Sequence, residues 1–218
     1  MSNVFAEAAD WLADPVHWSG VDGIPHRLAE HLGYSVLTVA IASAVALPLG
    51  LWIGHTGRFR GFAIALTGAV RALPTLGLLT LAVLWVGIGL TAPVVALVVL
   101  AVPPLLAGAY SGIEAVDRRT VDAARAQGMT EWQVLARVEV PIALPLILGG
   151  VRSAVLQVVA TATIAAYIGL GGLGRYLIDG VAVRDYPQTL SGSLVVVALA
   201  LVLDGAFAVV QRLAVRAA

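Results

Sequence analysis

Three ionisable side chains, Arg71, Arg152 and Asp204, stand inside otherwise apolar stretches. An ionisable group in hydrocarbon is costly, and it is kept for a substrate or proton path or as half of an ion pair. Asp204 is expected to form a structural ion pair with Arg152 or Arg71, a role favoured over one in the solute pathway. Arg152 lies seven to eleven residues after Pro145 and Pro141, near enough to a membrane face to snorkel. Catalytic chemistry has little to work with. His17, His26 and His31 are spaced along one segment, but no second His–acid motif joins them. The chain has no cysteine, which excludes disulfides, thiolate metal sites and a Cys nucleophile. No Walker-A pattern is present, so this chain is not expected to hydrolyse ATP. The run Gly169-Leu170-Gly171-Gly172-Leu173-Gly174 follows an apolar span rather than a strand, so it is not a dinucleotide fingerprint. It can let the backbone turn tightly, or act as a gate that touches a delivered solute.

The polar run 122–141, Asp-Ala-Ala-Arg-Ala-Gln-Gly-Met-Thr-Glu-Trp-Gln-Val-Leu-Ala-Arg-Val-Glu-Val-Pro, is a charged island between long apolar stretches. Asp117 or Thr120 can cap a helix beginning near Val121, and Ala123, Ala124 and Ala126 favour that helix and keep its surface thin. Gly128 ends or turns it. A second helix is expected from Thr130, with Glu131 in its first turn, to about Val138. Pro141 and Pro145 mark the re-entry into the membrane. Such a helix–turn–helix suits docking of a soluble partner; an amphipathic loop lying on the bilayer fits the same residues.

The elements that must position these residues are membrane spans. Of 218 residues 60% are hydrophobic and 12% charged, with a mean hydropathy of +0.94. A soluble domain carries about twice that charged fraction. The net charge is zero and all 13 basic residues are Arg, so no nucleic acid or other polyanion is implied. Gly33 to Gly54 is long enough to cross a bilayer, and the charge-free 72–113 stretch suits two spans broken at the Gly/Pro cluster 87–93. The expected spans are 33–54, 60–88 (with Arg71 inside), 92–113, one within 142–168, and 189–211. Met1 to Glu30 carries four acids before any early base, unlike a signal peptide. Five spans put the termini on opposite sides. Eight arginines (58, 60, 118, 119, 125, 137, 212 and 216) fall on one side and three (27, 175 and 184) on the other, which predicts an external N-terminus and a cytoplasmic island and C-terminus. The expected organisation is an extracytoplasmic segment 1–30, a transmembrane domain 31–213 with a coupling region 114–141, and a cytoplasmic tail 214–218.

The island resembles the coupling motif of ABC importer permeases, written E-A-A, three residues, G, nine residues, I-x-L-P. Here it reads Asp122-Ala123-Ala124, three residues, Gly128, nine residues, Val138-Glu139-Val140-Pro141. The spacing holds throughout, with Asp for Glu, Val for Ile and Val for Leu. The resemblance implies an all-α polytopic membrane protein of about five transmembrane helices, with a methionine-permease-like ABC importer fold and a cytoplasmic coupling helix. It assigns ATPase coupling to Asp122, Ala123, Ala124, Gly128 and Pro141. It implies a bacterial inner-membrane location, a partner ATPase that binds ATP and Mg, a second permease subunit (identical or paralogous) and an extracytoplasmic substrate-binding protein. ATPase dimerisation would draw the coupling helices together and drive alternating access. No cofactor is expected in this subunit.

The run Thr161-Ala162-Thr163-Ile164-Ala165-Ala166-Tyr167-Ile168 before the glycines is similar to permeases for osmoprotectants such as glycine betaine, choline, carnitine and proline betaine. The Gly-Gly-Leu-Gly part is shared with methionine permeases, so an amino-acid importer is the alternative. An ion-coupled secondary transporter is a further alternative, but no internal repeat supports it. Thr161, Thr163, Tyr167 and Asp204 are the candidates for the solute pathway. The spans offer only scattered aromatics (Tyr34, Trp52, Phe62, Trp85, Tyr110, Tyr167 and Phe207), with no compact cage for a quaternary ammonium. High-affinity recognition is therefore expected in another subunit.

Overall fold

A computed structural model describes residues 3–217 (side chains through Val215), and the described residues are helical with connecting turns. The order is α1 (Val4–Ala13), a 3₁₀ turn (Pro15–Trp18), α2 (Ile24–Thr56), α3 (Arg60–Arg71), α4 (Thr75–Val86), α5 (Thr91–Glu114), α6 (Arg118–Ala126), α7 (Glu131–Val134), a π-helical turn (Leu135–Glu139), α8 (Val140–Ala165), a second 3₁₀ turn (Ala166–Ile168), α9 (Gly174–Val183) and α10 (Tyr186–Ala217). Among the described residues α2, α5, the run Glu131–Ile168 and α10 are each long and apolar enough to cross a membrane. The chain is a multi-pass membrane protein.

The expected span at 60–88 is not one straight helix. It consists of α3 and α4, bent by 92° at the break between them. Pro74 is the cause: it disfavours helical backbone at Leu73 and opens α4 as its N-cap. Arg71 therefore ends α3 as an exposed residue instead of lying inside a continuous span. The break expected at 87–93 is present, with Gly87 and Gly89 at positive φ between α4 and α5.

Pro141 and Pro145 do not interrupt their helix. Pro141 has no N–H and its ring would crowd the carbonyl one turn earlier. The chain answers with a widened turn, in which the Val140 N–H reaches back to the Leu135 carbonyl. Helix continues on both sides, so α7, the π turn and α8 form one rod into the membrane.

The chain divides into two compact units. The first comprises residues 1–39, 73–98 and 156–203. In it α4, α5 and the end of α8 pack through Leu79, Ala82, Ala92, Ala96, Ala165 and Leu170. The N-terminal segment is folded onto α9 and α10. Ala8 is fully buried and its carbonyl accepts from the Ser191 hydroxyl at 3.1 Å, while Trp11 stacks on His17 and meets Tyr176 edge-on. The second unit comprises residues 40–72, 99–155 and 204–218. Its helices meet through small residues, as membrane helices do where dispersion must replace hydrophobic drive. Gly108 and Gly150 touch backbone to backbone, so a Cβ on Gly108 would lie 2.6 Å from the Gly150 Cα.

Candidate functional site

The polar island folds as a capped two-helix element. The Asp117 carboxylate accepts from the Arg119 N–H at 2.9 Å, so α6 starts at Arg118, three residues before the expected Val121. Gly128 turns the chain at φ +85°, a conformation open to glycine at no steric cost. Thr130 and Gln133 then form a reciprocal capping box for α7.

One face of α6 is committed and the other is free. Val121 and Ala124 are buried among Ile113, Val116, Val134, Ala143 and Ile147. Asp122 and Ala123 are exposed, and Ala123 borders an open groove of about 450 Å³ shared with Arg119, Thr120, Gln127, Met129 and Val138. Of the five residues assigned to coupling, Asp122, Ala123 and Gly128 thus face outward, Ala124 seats the helix, and Pro141 is half-buried at the start of α8.

A chain of charges ties α6 to the rod and to the end of α2. Arg125 makes two parallel hydrogen bonds to Glu131, each 2.9 Å, and lies 3.5 Å from Asp122. The bond to Glu131 raises the already high pKa of Arg125, so the guanidinium stays charged. His55 places Nε2 3.1 Å from the same Glu131 and Nδ1 against Glu139. Glu139 is 4% exposed, so His55 answers a carboxylate that water barely reaches. In the sequence His55 is only one residue of a polar turn, and Glu139 only a variable position of the motif. The one signal for their pairing is an acid between two valines where the helix re-enters apolar sequence.

The pathway candidates are differently placed. The Thr161 hydroxyl donates to the Gln157 carbonyl at 2.7 Å and Thr163 to Ala160 at 2.6 Å, both half-buried and satisfied by their own helix. Tyr167 is exposed. Asp204 is held by Arg152, with Nε and Nη2 each 2.7 Å from one carboxylate oxygen. Arg152 also donates to Gln211 at 3.1 Å. The partner of Asp204 is Arg152, and the geometry is that of a bidentate clamp.

The Gly-rich run is fixed by a residue far away in sequence. Glu30 accepts from the Gly172 N–H at 2.8 Å, and a Cβ on Gly171 would lie 2.5 Å from the same carboxylate. Gly169 and Gly172 take positive φ. A Cβ on Gly174 would lie 2.2 Å from the Thr163 carbonyl oxygen.

Residues 46–216 match the family described as binding-protein-dependent transport system inner membrane component. The chain is similar to the glycine betaine/carnitine/choline transport system permease protein OpuCB of Bacillus subtilis, 32% identical over 187 residues covering 86% of each chain. It is similar to the osmoprotectant import permease protein OsmW of Salmonella typhimurium, 34% identical over 183 residues covering 80% of this chain and 84% of that one. Its fold is that of a chain in the inward-facing MetNI methionine ABC transporter, with a TM-score of 0.78 at 21% identity over 92% of this chain and 98% of that one. An amino acid ABC transporter crystallised with histidines gives 0.67 at 23% identity over the whole of both chains.

Proposed function

The chain belongs to the family of binding-protein-dependent transport system inner membrane components, and from that premise we propose that it is the pathway-forming subunit of an ATP-driven osmoprotectant importer. The solute class is that in the names of its relatives: glycine betaine, choline, carnitine or a similar compound. The subunit is non-catalytic. ATP and Mg are bound by a partner ATPase, a binding protein delivers the solute, and a second permease subunit completes the pathway. Residues 1–30 are extracytoplasmic, 31–213 form the permease domain, and the coupling region 114–141 and the tail 214–218 face the cytoplasm of a bacterial inner membrane. The eight-to-three arginine distribution supports this orientation.

The observation that carries the proposal is the free face of α6. A short helix anchored by Val121 and Ala124 keeps Asp122 and Ala123 in the open beside a groove. A thin, capped, laterally braced helix can sit in a partner's cleft and carry force without deforming. Thr161, Thr163, Tyr167 and Asp204 remain the candidates nearest the solute; for Asp204 the bidentate clamp favours the structural role. The experiment is Ala123→Arg in the co-expressed importer. The expected result is a permease that accumulates normally but no longer co-purifies its ATPase, with uptake of radiolabelled glycine betaine lost. Retained ATPase and retained uptake would overturn the coupling role. Uptake of methionine in place of betaine, choline and carnitine by the unmodified importer would overturn the solute class.

A further inference from the structure

A cavity of about 540 Å³ opens in the first unit, on the side that the proposed orientation makes extracytoplasmic. Arg27, Glu30 and Tyr34 of α2, the α4–α5 turn, the Gly-rich loop and Arg175 of α9 line it. In so apolar a chain, three ionised side chains around one space call for a reason.

Two of them, Arg175 and Glu30, keep bonding capacity in reserve. Arg175 gives one good bond, Nη2 to Asp179 at 2.9 Å, and one long contact of 3.5 Å to the Ala166 carbonyl. A guanidinium has five donors, so most of its fork is unused. Oε2 of Glu30 takes both the Gly172 N–H and Arg27 Nη1, at 2.8 and 2.9 Å, whereas Oε1 has His26 at 3.6 Å. Tyr34 adds a half-buried ring to the wall of the same space. The lining thus offers a cationic fork, an anionic oxygen and one aromatic ring. A plain anion would meet Glu30; a plain cation would meet Arg27 and Arg175. A molecule carrying both charges meets complementary groups at both ends.

We infer that this cavity is a low-affinity site for a small zwitterion, with Arg175 receiving its carboxylate and Glu30 with Tyr34 receiving its cationic nitrogen. The inference rests on the osmoprotectant reading and deepens it by naming where a solute released by the binding protein is first held. A single ring in place of an aromatic cage keeps the site weak, as a transfer point requires.

The test is equilibrium binding of radiolabelled glycine betaine and of choline, which has the same ammonium without a carboxylate. It uses the assembled permease–ATPase complex in lipid nanodiscs, without binding protein. The expected result is betaine binding at least about tenfold tighter than choline. Arg175→Gln removes that preference by weakening betaine alone, Arg175→Lys restores part of it, and Tyr34→Ala weakens both ligands. Because choline binding reports an intact fold, a selective loss in Arg175→Gln cannot come from misfolding. In Arg175→Gln, equal loss of both ligands, or unchanged betaine binding, overturns the site. If the nanodisc complex binds neither solute while the full importer still takes up betaine, the site is wrong and the osmoprotectant reading stands. If the full importer takes up no osmoprotectant, that reading fails and the site falls with it.

Discussion

The coupling element at 117–141 and the Gly-rich loop at 169–174 both connect longer helices, but they hold their shape by opposite means. The coupling element is largely self-sufficient. Its caps come from Asp117 and Thr130, its turn from Gly128, and its brace from an Arg125–Glu131 pair six residues apart. The Gly-rich loop is held from outside by Glu30, 142 residues from Gly172 in sequence, and by contact distances that only a missing side chain allows. On the proposed function the first segment meets a separate protein, and it keeps its own form and leaves a face free. The second, which lines the proposed solute site, is fixed by its surroundings and has no room for a side chain at Gly171 or Gly174.

The sharpest way to break this contrast is at the glycines. Gly174→Val puts a side chain where even a Cβ lies 2.2 Å from the Thr163 carbonyl oxygen, and backbone cannot move aside. No assembled importer should be recovered by size-exclusion chromatography. At Gly128 no atom stands within 4 Å of the place a Cβ would take, so Gly128→Ala meets only the left-handed backbone at φ +85°. Its expected cost is about 1 kcal/mol, with assembly retained. If the two variants behave alike, the distinction between crowded and open turns fails.

The next largest effect belongs to the long-range tie of the coupling element. His55→Ala leaves Glu139 buried without its partner, and the expected destabilisation is about 3 kcal/mol in a denaturant titration. Adding Glu139→Gln should recover much of that loss, because the uncompensated charge goes with it. A double variant no better than the single one would show that the pair is incidental to holding α2 against the coupling rod.

The legibility of the sequence follows the same division. Asp117, Gly128 and the Thr130 cap act within a few residues, so the helix–turn–helix is readable from spacing, and the four long spans from charge-free length. Three features are not. The 92° break at Leu73-Pro74 is a local proline effect hidden inside a hydrophobic run long enough for one span. Pro141 reads as a helix stop because a π turn that absorbs it leaves no sequence mark. The ties His55–Glu139 and Glu30–Gly172 join residues 84 and 142 positions apart, and neither pattern nor propensity brings such partners together. The Arg152–Asp204 pair is the exception among distant contacts, because two opposite charges in apolar spans have few other options.

The smallest expected effect tests whether the local brace of α6 is structural at all. Arg125 and Glu131 are exposed, and exposed pairs contribute little because water and salt screen them. With Asp117 capping α6 and Val121 and Ala124 buried beneath it, Arg125→Ala should leave the melting temperature of the complex unchanged within error. Its consequence should appear in function instead. Arg125 joins the exposed face of α6 to Glu131, and Glu131 joins it to His55 and the buried Glu139. Cutting that chain at its exposed end leaves the ATPase able to bind while loosening the connection through which its closure reaches α2 and α8. The measurement is the number of ATP molecules hydrolysed per solute imported, which should rise in Arg125→Ala and return towards normal in Arg125→Lys. An unchanged ratio would mean that force passes through the packed Val121 and Ala124 face alone, and that the charges only decorate it.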